Sequence, residues 1–411
     1  MKIISSITAF LFISWLGGFA QTPGQVKILF DCTKAETSGN ADWVIDADLE
    51  NLNWNPYASS GGSGYHSNPQ QYPTPPQTAV TSSTAETYWE GSLSHWAIDC
   101  VNKGYWVETL GAFSLLTYGY SPNSQDLSNY NVFIVDEPNI LFTAAQKTAM
   151  MNFVLNGGSL FMISDHTGSD RNNDGYDSPA IWNDFISNNG VQNNGFGFSV
   201  DLQNFSQTSS NIIASASDSL IHGPFGNVTQ VKWSNGTSLT LNPSQNPSVK
   251  GVVYKTGSSG NTGVMCAYAR LGCGKVVIFG DSSPPDDGTG NPHATLYNGY
   301  TLDAAGNHQR LLMNATIWLA QSNCSTGINT ISGESKIHIF PNPMTEELTV
   351  RLPVFAQNVS ISFTDVLGKE VISVQTSGTE ISIKENNLPS GVYLVKIIAD
   401  EKVQMVKVIK Q

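Results

Sequence analysis

Four apolar runs in this chain end in acidic residues. Val26 to Phe30 leads into Asp31, and Asn131 to Val135 into Asp136-Glu137-Pro138. Ser159 to Ser164 leads into Asp165-His166, and Lys275 to Phe279 into Gly280-Asp281. A carboxylate beside an imidazole can work as a general acid and base, or both groups can ligate a divalent metal. Asp31, Asp165, His166 and Asp281 are therefore the candidate catalytic residues. The competing reading is structural: Asp caps turns and helices, and a lone His often bonds a loop backbone. Lys34 and Asp42 follow the first run, with Trp43 between packing and a stacking role. Together with Glu137 and His293 they are expected to bind substrate.

A second pattern is local. Asp170-Arg-Asn172-Asn-Asp174-Gly175-Tyr-Asp177 places oxygen side chains at every second position before a Gly, as in the first half of an EF-hand loop. The acidic residue expected at position twelve is Ile181, which excludes a complete EF-hand. Asp170, Asn172, Asp174 and Asp177 thus form either a partial site for Ca²⁺ or another divalent metal, or an Asx-rich turn. Ser282, in the acidic loop Gly280 to Gly288, lacks the G-x-S-x-G elbow of a serine nucleophile. No pattern suggests an organic cofactor.

The elements that must position these residues alternate in type. Strands are expected at Val26 to Phe30, Tyr105 to Leu110, Asn131 to Val135, Ser159 to Ser164, Lys250 to Tyr254, Gly263 to Ala269 and Lys275 to Phe279. Helices are expected at Ala85 to Lys103, Thr143 to Leu155, Pro179 to Ser187 and His308 to Ala320. Such alternation implies an α/β domain with a flavodoxin-like, doubly wound, mostly parallel sheet. Ligands of open sheets of this kind lie beyond the carboxyl ends of the strands, where the four acidic termini would converge. The irregular stretch from Asn51 to Ser83 is too long for an ordinary connection and reads as a functional loop.

Within a domain expected over residues 21–322, the stretch from about Val26 to Ala320 resembles the class I glutamine-amidotransferase-like superfamily, in its trehalose-utilisation-protein-like branch. The resemblance rests on Asn131-Val-Phe-Ile-Val, Leu155-Asn-Gly-Gly, Ser159-Leu-Phe-Met-Ile-Ser with Asp165-His166, and Gly274-Lys-Val-Val-Ile-Phe-Gly-Asp281. Asp165-His166 stand where amidotransferases carry a nucleophilic cysteine, so the resemblance implies a fold without thiol chemistry.

The ends of the chain speak of export. Residues 1–20 read as a signal peptide, with Lys2, an apolar stretch and small residues before Gln21; the stretch is too short to suggest a membrane anchor. Residues 323–336 read as a linker. Residues 337–411 resemble the type IX secretion sorting domain of Bacteroidetes, through Phe340-Pro-Asn-Pro343, Phe363-Thr-Asp-Val-Leu-Gly-Lys369 and Leu388-Pro-Ser-Gly-Val-Tyr-Leu-Val-Lys396. That resemblance implies a small all-β sandwich read by the type IX machinery, and a secreted or cell-surface protein. The net charge of −13 and the lack of a basic stripe argue against nucleic acid as a partner. Five cysteines in an exported chain permit disulfides without fixing a pairing. The expected function is a secreted hydrolase of an extracellular polymer, a glycan foremost, with a carboxylate and His site. The alternative is a non-catalytic, calcium-stabilised binding protein.

Overall fold

The computed structural model describes residues 25–38, 41–46, 77–85, 88–89, 91–111, 114–288, 299–302, 307–321, 338–366, 368–384, 388–399 and 402–411. The signal peptide, the linker, His293 and most of the 51–83 stretch lie outside these residues. The chain divides into two compact units, Met1–Asn323 and Cys324–Gln411.

The first unit is built on a ten-stranded sheet. Its strands are β1 (Lys27–Asp31), β2 (Trp106–Leu110), β3 (Val132–Asp136), β4 (Ser159–Ile163), β5 (Phe198–Val200), β6 (Asn211–Ile212), β7 (Leu239–Leu241), β8 (Lys250–Tyr254), β9 (Val264–Leu271) and β10 (Gly274–Phe279). The order along the sheet is β2-β1-β3-β4-β10-β9-β7-β5, with β8 pairing β9 and β6. From β2 to β10 every pairing is parallel; from β10 outward every pairing is antiparallel. The expectation of a flavodoxin-like, mostly parallel sheet is therefore corrected: the sheet is mixed, and over both units together strand outweighs helix, 37% to 16%. The cause is visible in one turn. Leu271 pairs with Gly274 across Gly272-Cys273, and a two-residue connection can only make an antiparallel hairpin. Gly272 has φ +56°, and a Cβ there would lie 2.6 Å from the Leu155 carbonyl oxygen, so both conformation and space call for glycine.

Helices cover both faces: α1 (Ser94–Asn102), α2 (Ala144–Leu155), α3 (Ser178–Ser187) and α4 (Asn307–Ala320). Trp96 of α1 and Leu312 of α4 pack with Ile134, Ile163 and Phe279 on one face. Met150 of α2 and Trp182 of α3 pack with Leu29, Val135, Met162 and Ile278 on the other. Helix α2 begins at a complete capping box between Thr143 and Gln146. Helix α1 starts at Ser94, later than the Ala85 that its periodicity predicts. The preceding backbone is spent elsewhere, because Gly91 N–H and Leu93 N–H donate to the Ile45 and Val44 carbonyls. Cys32, Cys100 and Cys266 are buried thiols, and Cys273 is disulfide-bonded.

The second unit is an antiparallel β structure of β11 (His338–Phe340), β12 (Glu347–Thr364), β13 (Glu370–Lys384), β14 (Gly391–Ala399) and β15 (Lys402–Lys410). Strand β12 shifts register near its middle, pairing β11 with its first half and β14 with its second. Alternate residues such as Val350, Ile361, Phe363, Val395 and Ile397 fill its core.

Candidate functional site

Strand periodicity decides which acidic ends meet. Asp136, Asp165 and Asp281 each stand two residues past a side chain of the α1/α4 face, namely Ile134, Ile163 and Phe279. Asp31 stands two residues past Leu29, which packs on the α2/α3 face. The four strand ends therefore form two clusters rather than one.

The smaller cluster surrounds Asp31. Its carboxyl accepts from Thr33 N–H at 3.0 Å, while the Lys34 N–H donates to both oxygens of Glu36 at 3.0 Å. Burial raises the Asp31 carboxyl above its ordinary range against the pull of Lys34. Burial together with Asp31 raises Glu36 well above its own. Lys34, expected to reach substrate, is itself buried. Its Nζ donates to Gln146 Oε1 at 2.8 Å and lies 5.2 Å from the Phe142 ring centre, and burial lowers its pKa. Asp42 lies on a two-residue strand, Ala41–Asp42, whose backbone pairs with Thr37–Ser38.

The larger cluster surrounds Asp165. Asp165 Oδ2 lies 2.6 Å from His166 Nδ1. A carboxylate can only accept, so Nδ1 is the donor in this contact, and in the neutral ring Nε2 is the accepting nitrogen. The imidazole is 21% exposed, whereas Asp165 is buried. Arg171 Nη2 approaches the same Oδ2 at 3.4 Å. Its Nε and Nη2 lie 3.2 and 3.1 Å from Glu137 Oε1. Glu137 Oε2 accepts from Trp43 Nε1 at 2.7 Å and from Ser282 Oγ at 2.8 Å. Burial and the Asp165 charge raise Glu137 well above the usual carboxyl range, outweighing Arg171, Ser282 and Trp43. Trp43 thus both packs in the core and orients a carboxylate.

Asp136 and Asp281 share this face with different fates. Asp281 is fully buried and accepts from the backbone N–H groups of Ser283, at 2.8 Å, and Ser234. Burial and Asp165 raise its pKa. Asp136 is buried with neither oxygen partnered among the described residues, and burial with Glu137, Asp165, Asp281 and Asp286 raises it strongly. Arg171 is not among the expected site residues. The signal was available, since it is the sole Lys or Arg between Lys147 and Lys232, set among acids.

The 170–177 loop does not gather its oxygens round a centre. Asp170 accepts from Asp174 N–H at 3.1 Å and Gly175 N–H at 2.8 Å. Asp174 accepts from Tyr176 N–H at 3.0 Å and Asn172 Nδ2 at 2.9 Å. Asp177 caps α3 through Ala180 N–H at 2.9 Å and takes Gly168 N–H at 2.8 Å. Among the described residues, no three His, Cys, Asp or Glu side chains stand together as a metal site. A cavity of about 410 Å³, lined by His222, Asn314 and Trp318 among others, lies near the C-terminus of α4. That helix end meets Lys275 and Ser159 at the amino ends of β10 and β4, the edge opposite the cluster.

Residues 338–411 match the secretion system C-terminal sorting domain family, the type IX tail. The protein is secreted or held at the cell surface. Among the described residues no helix is long and apolar enough to cross a membrane. No curated protein matches the chain. Of solved structures, the mmIFT52 N-terminal domain is similar at 15% identity and TM-score 0.40, covering 57% of this chain and 92% of that one. A DUF3244 family protein with an immunoglobulin-like β-sandwich from Bacteroides vulgatus is 20% identical at TM-score 0.17, over 18% of this chain and 83% of that one. A β-galactosidase from Rahnella sp. R3 is 9% identical at TM-score 0.36, over 93% of this chain and 41% of that one. Likenesses this distant carry no inference about activity.

Proposed function

We propose that the first unit is a hydrolase of an extracellular polymer, a glycan foremost, working through Asp165 and His166. The observation that carries this reading is the 2.6 Å contact between a buried carboxylate and a partly exposed imidazole at the carboxyl edge of the sheet. Asp165 fixes the ring and its tautomer, so Nε2 can take a proton from water and return it to the leaving oxygen. Arg171 lies against the same carboxylate and keeps the local charge from being wholly negative. Export supplies the occasion, because the sorting tail delivers the unit to where polymers are.

A second reading, a non-catalytic binding protein, draws support from Asp281 and the 170–177 loop, whose carboxylates are engaged by backbone donors. A structural Ca²⁺ at that loop would first have to displace those backbone donors. Protein purified from culture would be assayed against neutral and acidic polysaccharides, a peptide and an ester, with and without EDTA. The hydrolase reading expects release of reducing ends from a polysaccharide, and silence in His166→Ala. Polysaccharide binding without turnover, equal in wild type and variant, would establish the second reading instead.

A further inference from the structure

We propose that Glu137 is the positioning residue of the Asp165–His166 pair, acting through Arg171 and not through substrate. The proposal deepens the hydrolase reading and takes its catalytic pair from it. Glu137 was expected to meet substrate, but its side chain is 0% exposed. Both its oxygens are occupied by donors from three other strand-end loops: Trp43 after β1, Arg171 after β4 and Ser282 after β10. One carboxylate at the end of β3 therefore ties four strand ends together.

The backbone points the same way. Glu137 has φ +42°, a left-handed conformation that residues with a Cβ rarely take and that Gly or Asn enters more easily. It is fixed there from both sides, its N–H donating to the Ile163 carbonyl at 3.1 Å and its carbonyl accepting from Asn139 Nδ2 at 2.9 Å. What Glu supplies that an easier turn residue would not is a carboxylate with this reach. The consequence falls on Arg171. Its fork is anchored on Glu137 Oε1, which leaves Nη2 at 3.4 Å from Asp165 Oδ2, the oxygen that His166 Nδ1 holds at 2.6 Å. So placed, the guanidinium steadies the carboxylate without displacing the imidazole. Released from Glu137, it would close on Asp165 and compete with His166 for that oxygen.

The test uses the intact unliganded protein and proton–nitrogen NMR of its imidazoles. Wild type should show a slowly exchanging downfield Nδ1 proton for His166. In Glu137→Gln, whose amide cannot accept at both ends, that proton should exchange at least about tenfold faster, the equivalent of one lost hydrogen-bond restraint. In Glu137→Gln/Arg171→Met, where the competitor is gone, the slow signal should return; a residue acting on its own would show no such rescue. On whichever polysaccharide the assay above identifies, Glu137→Gln should lower kcat about 10- to 100-fold with KM unchanged, the usual scale for a misplaced catalytic group. If Glu137→Gln does not fold, Glu137→Asp, one carbon short, should show the same faster exchange. An unaltered Nδ1 proton in the folded variant, absence of rescue, or a raised KM at constant kcat would each overturn the proposal. If wild type turns over nothing, the hydrolase reading fails, yet the NMR arms still decide the role of Glu137.

Discussion

Two acid-rich regions adjoin in this molecule, and the same residue types behave differently in each. The 170–177 loop folds into a turn, and Asp170, Asp174 and Asp177 all accept N–H groups from between Gly168 and Ala180. The strand-end cluster draws on four strands. There Glu137 is met by donors from Trp43 and Ser282, 94 and 145 residues away, and Asp136 finds no partner among the described residues. Acids that have local donors become scaffolding. Acids brought together by long-range pairing are left in conflict with burial and with one another, which is the condition under which carboxyl chemistry is tuned.

The sharpest way to break that contrast is His166→Ala. It should cost about 10²- to 10⁴-fold in kcat on the identified polymer, the usual loss for a general acid or base. Thermal melting should move little, since the ring is partly exposed and packs in no core. Asp281→Asn should act on stability instead. Its carboxylate holds the Ser234 and Ser283 backbones in a buried site, and an amide would turn an NH₂ toward one of them. Leaving one buried donor unmet costs about 1–3 kcal/mol, readable as a lower urea midpoint. Loss of turnover without loss of stability would return Asp281 to the catalytic set.

Much of this was legible in the sequence, and for physical reasons. Strand ends are local events, so the acids that cap them could be found from apolar runs alone. The face each acid occupies follows from a period of two, and counting back from Asp31 to Leu29 separates it from the other three. Sheet direction departs from the parallel expectation because the short stretch between Ala269 and Lys275 leaves no room for a parallel crossover, and Gly272-Cys273 is a hairpin turn. Arg171 was missed because Glu137, its main partner, is remote in sequence. Only its isolation as a cation hinted at a fixed place.

A smaller effect concerns pH. Asp136 holds its proton above the ordinary carboxyl range because burial and its acidic neighbours Glu137, Asp165, Asp281 and Asp286 disfavour its charge. A raised carboxyl pKa means the native state binds more protons than the unfolded chain. Stability is therefore full below the unfolded pKa and declines as pH rises through the native one. One such group contributes a slope of about 1.4 kcal/mol per pH unit within its window. Asp136→Asn should remove that share, so the variant should gain on wild type as the buffer is taken upward from about pH 4, the ordinary carboxyl range. Parallel stability curves would mean that Asp136 titrates normally and that its lack of partners has no consequence.

The smallest effect is expected from the loop, and it asks whether local acids can also hold an ion. Ca²⁺ requires about six to eight oxygens turned inward. Here the inward groups are N–H donors, because Asn173 at φ +57° and Gly175 at φ +92° fold the backbone onto the carboxylates. An ion would meet the positive ends of those dipoles and would have to displace them first. Asp174→Ala removes one backbone and one side-chain hydrogen bond at an exposed position and should cost about 0.5–1 kcal/mol. Wild type should melt at the same temperature in Ca²⁺ as in chelator. A true site saturated about 100-fold above its Kd would add roughly 2.7 kcal/mol, and Asp174→Ala would erase that gain. Finding both the gain and its erasure would make the loop an ion site and end the contrast between local scaffolding and long-range chemistry.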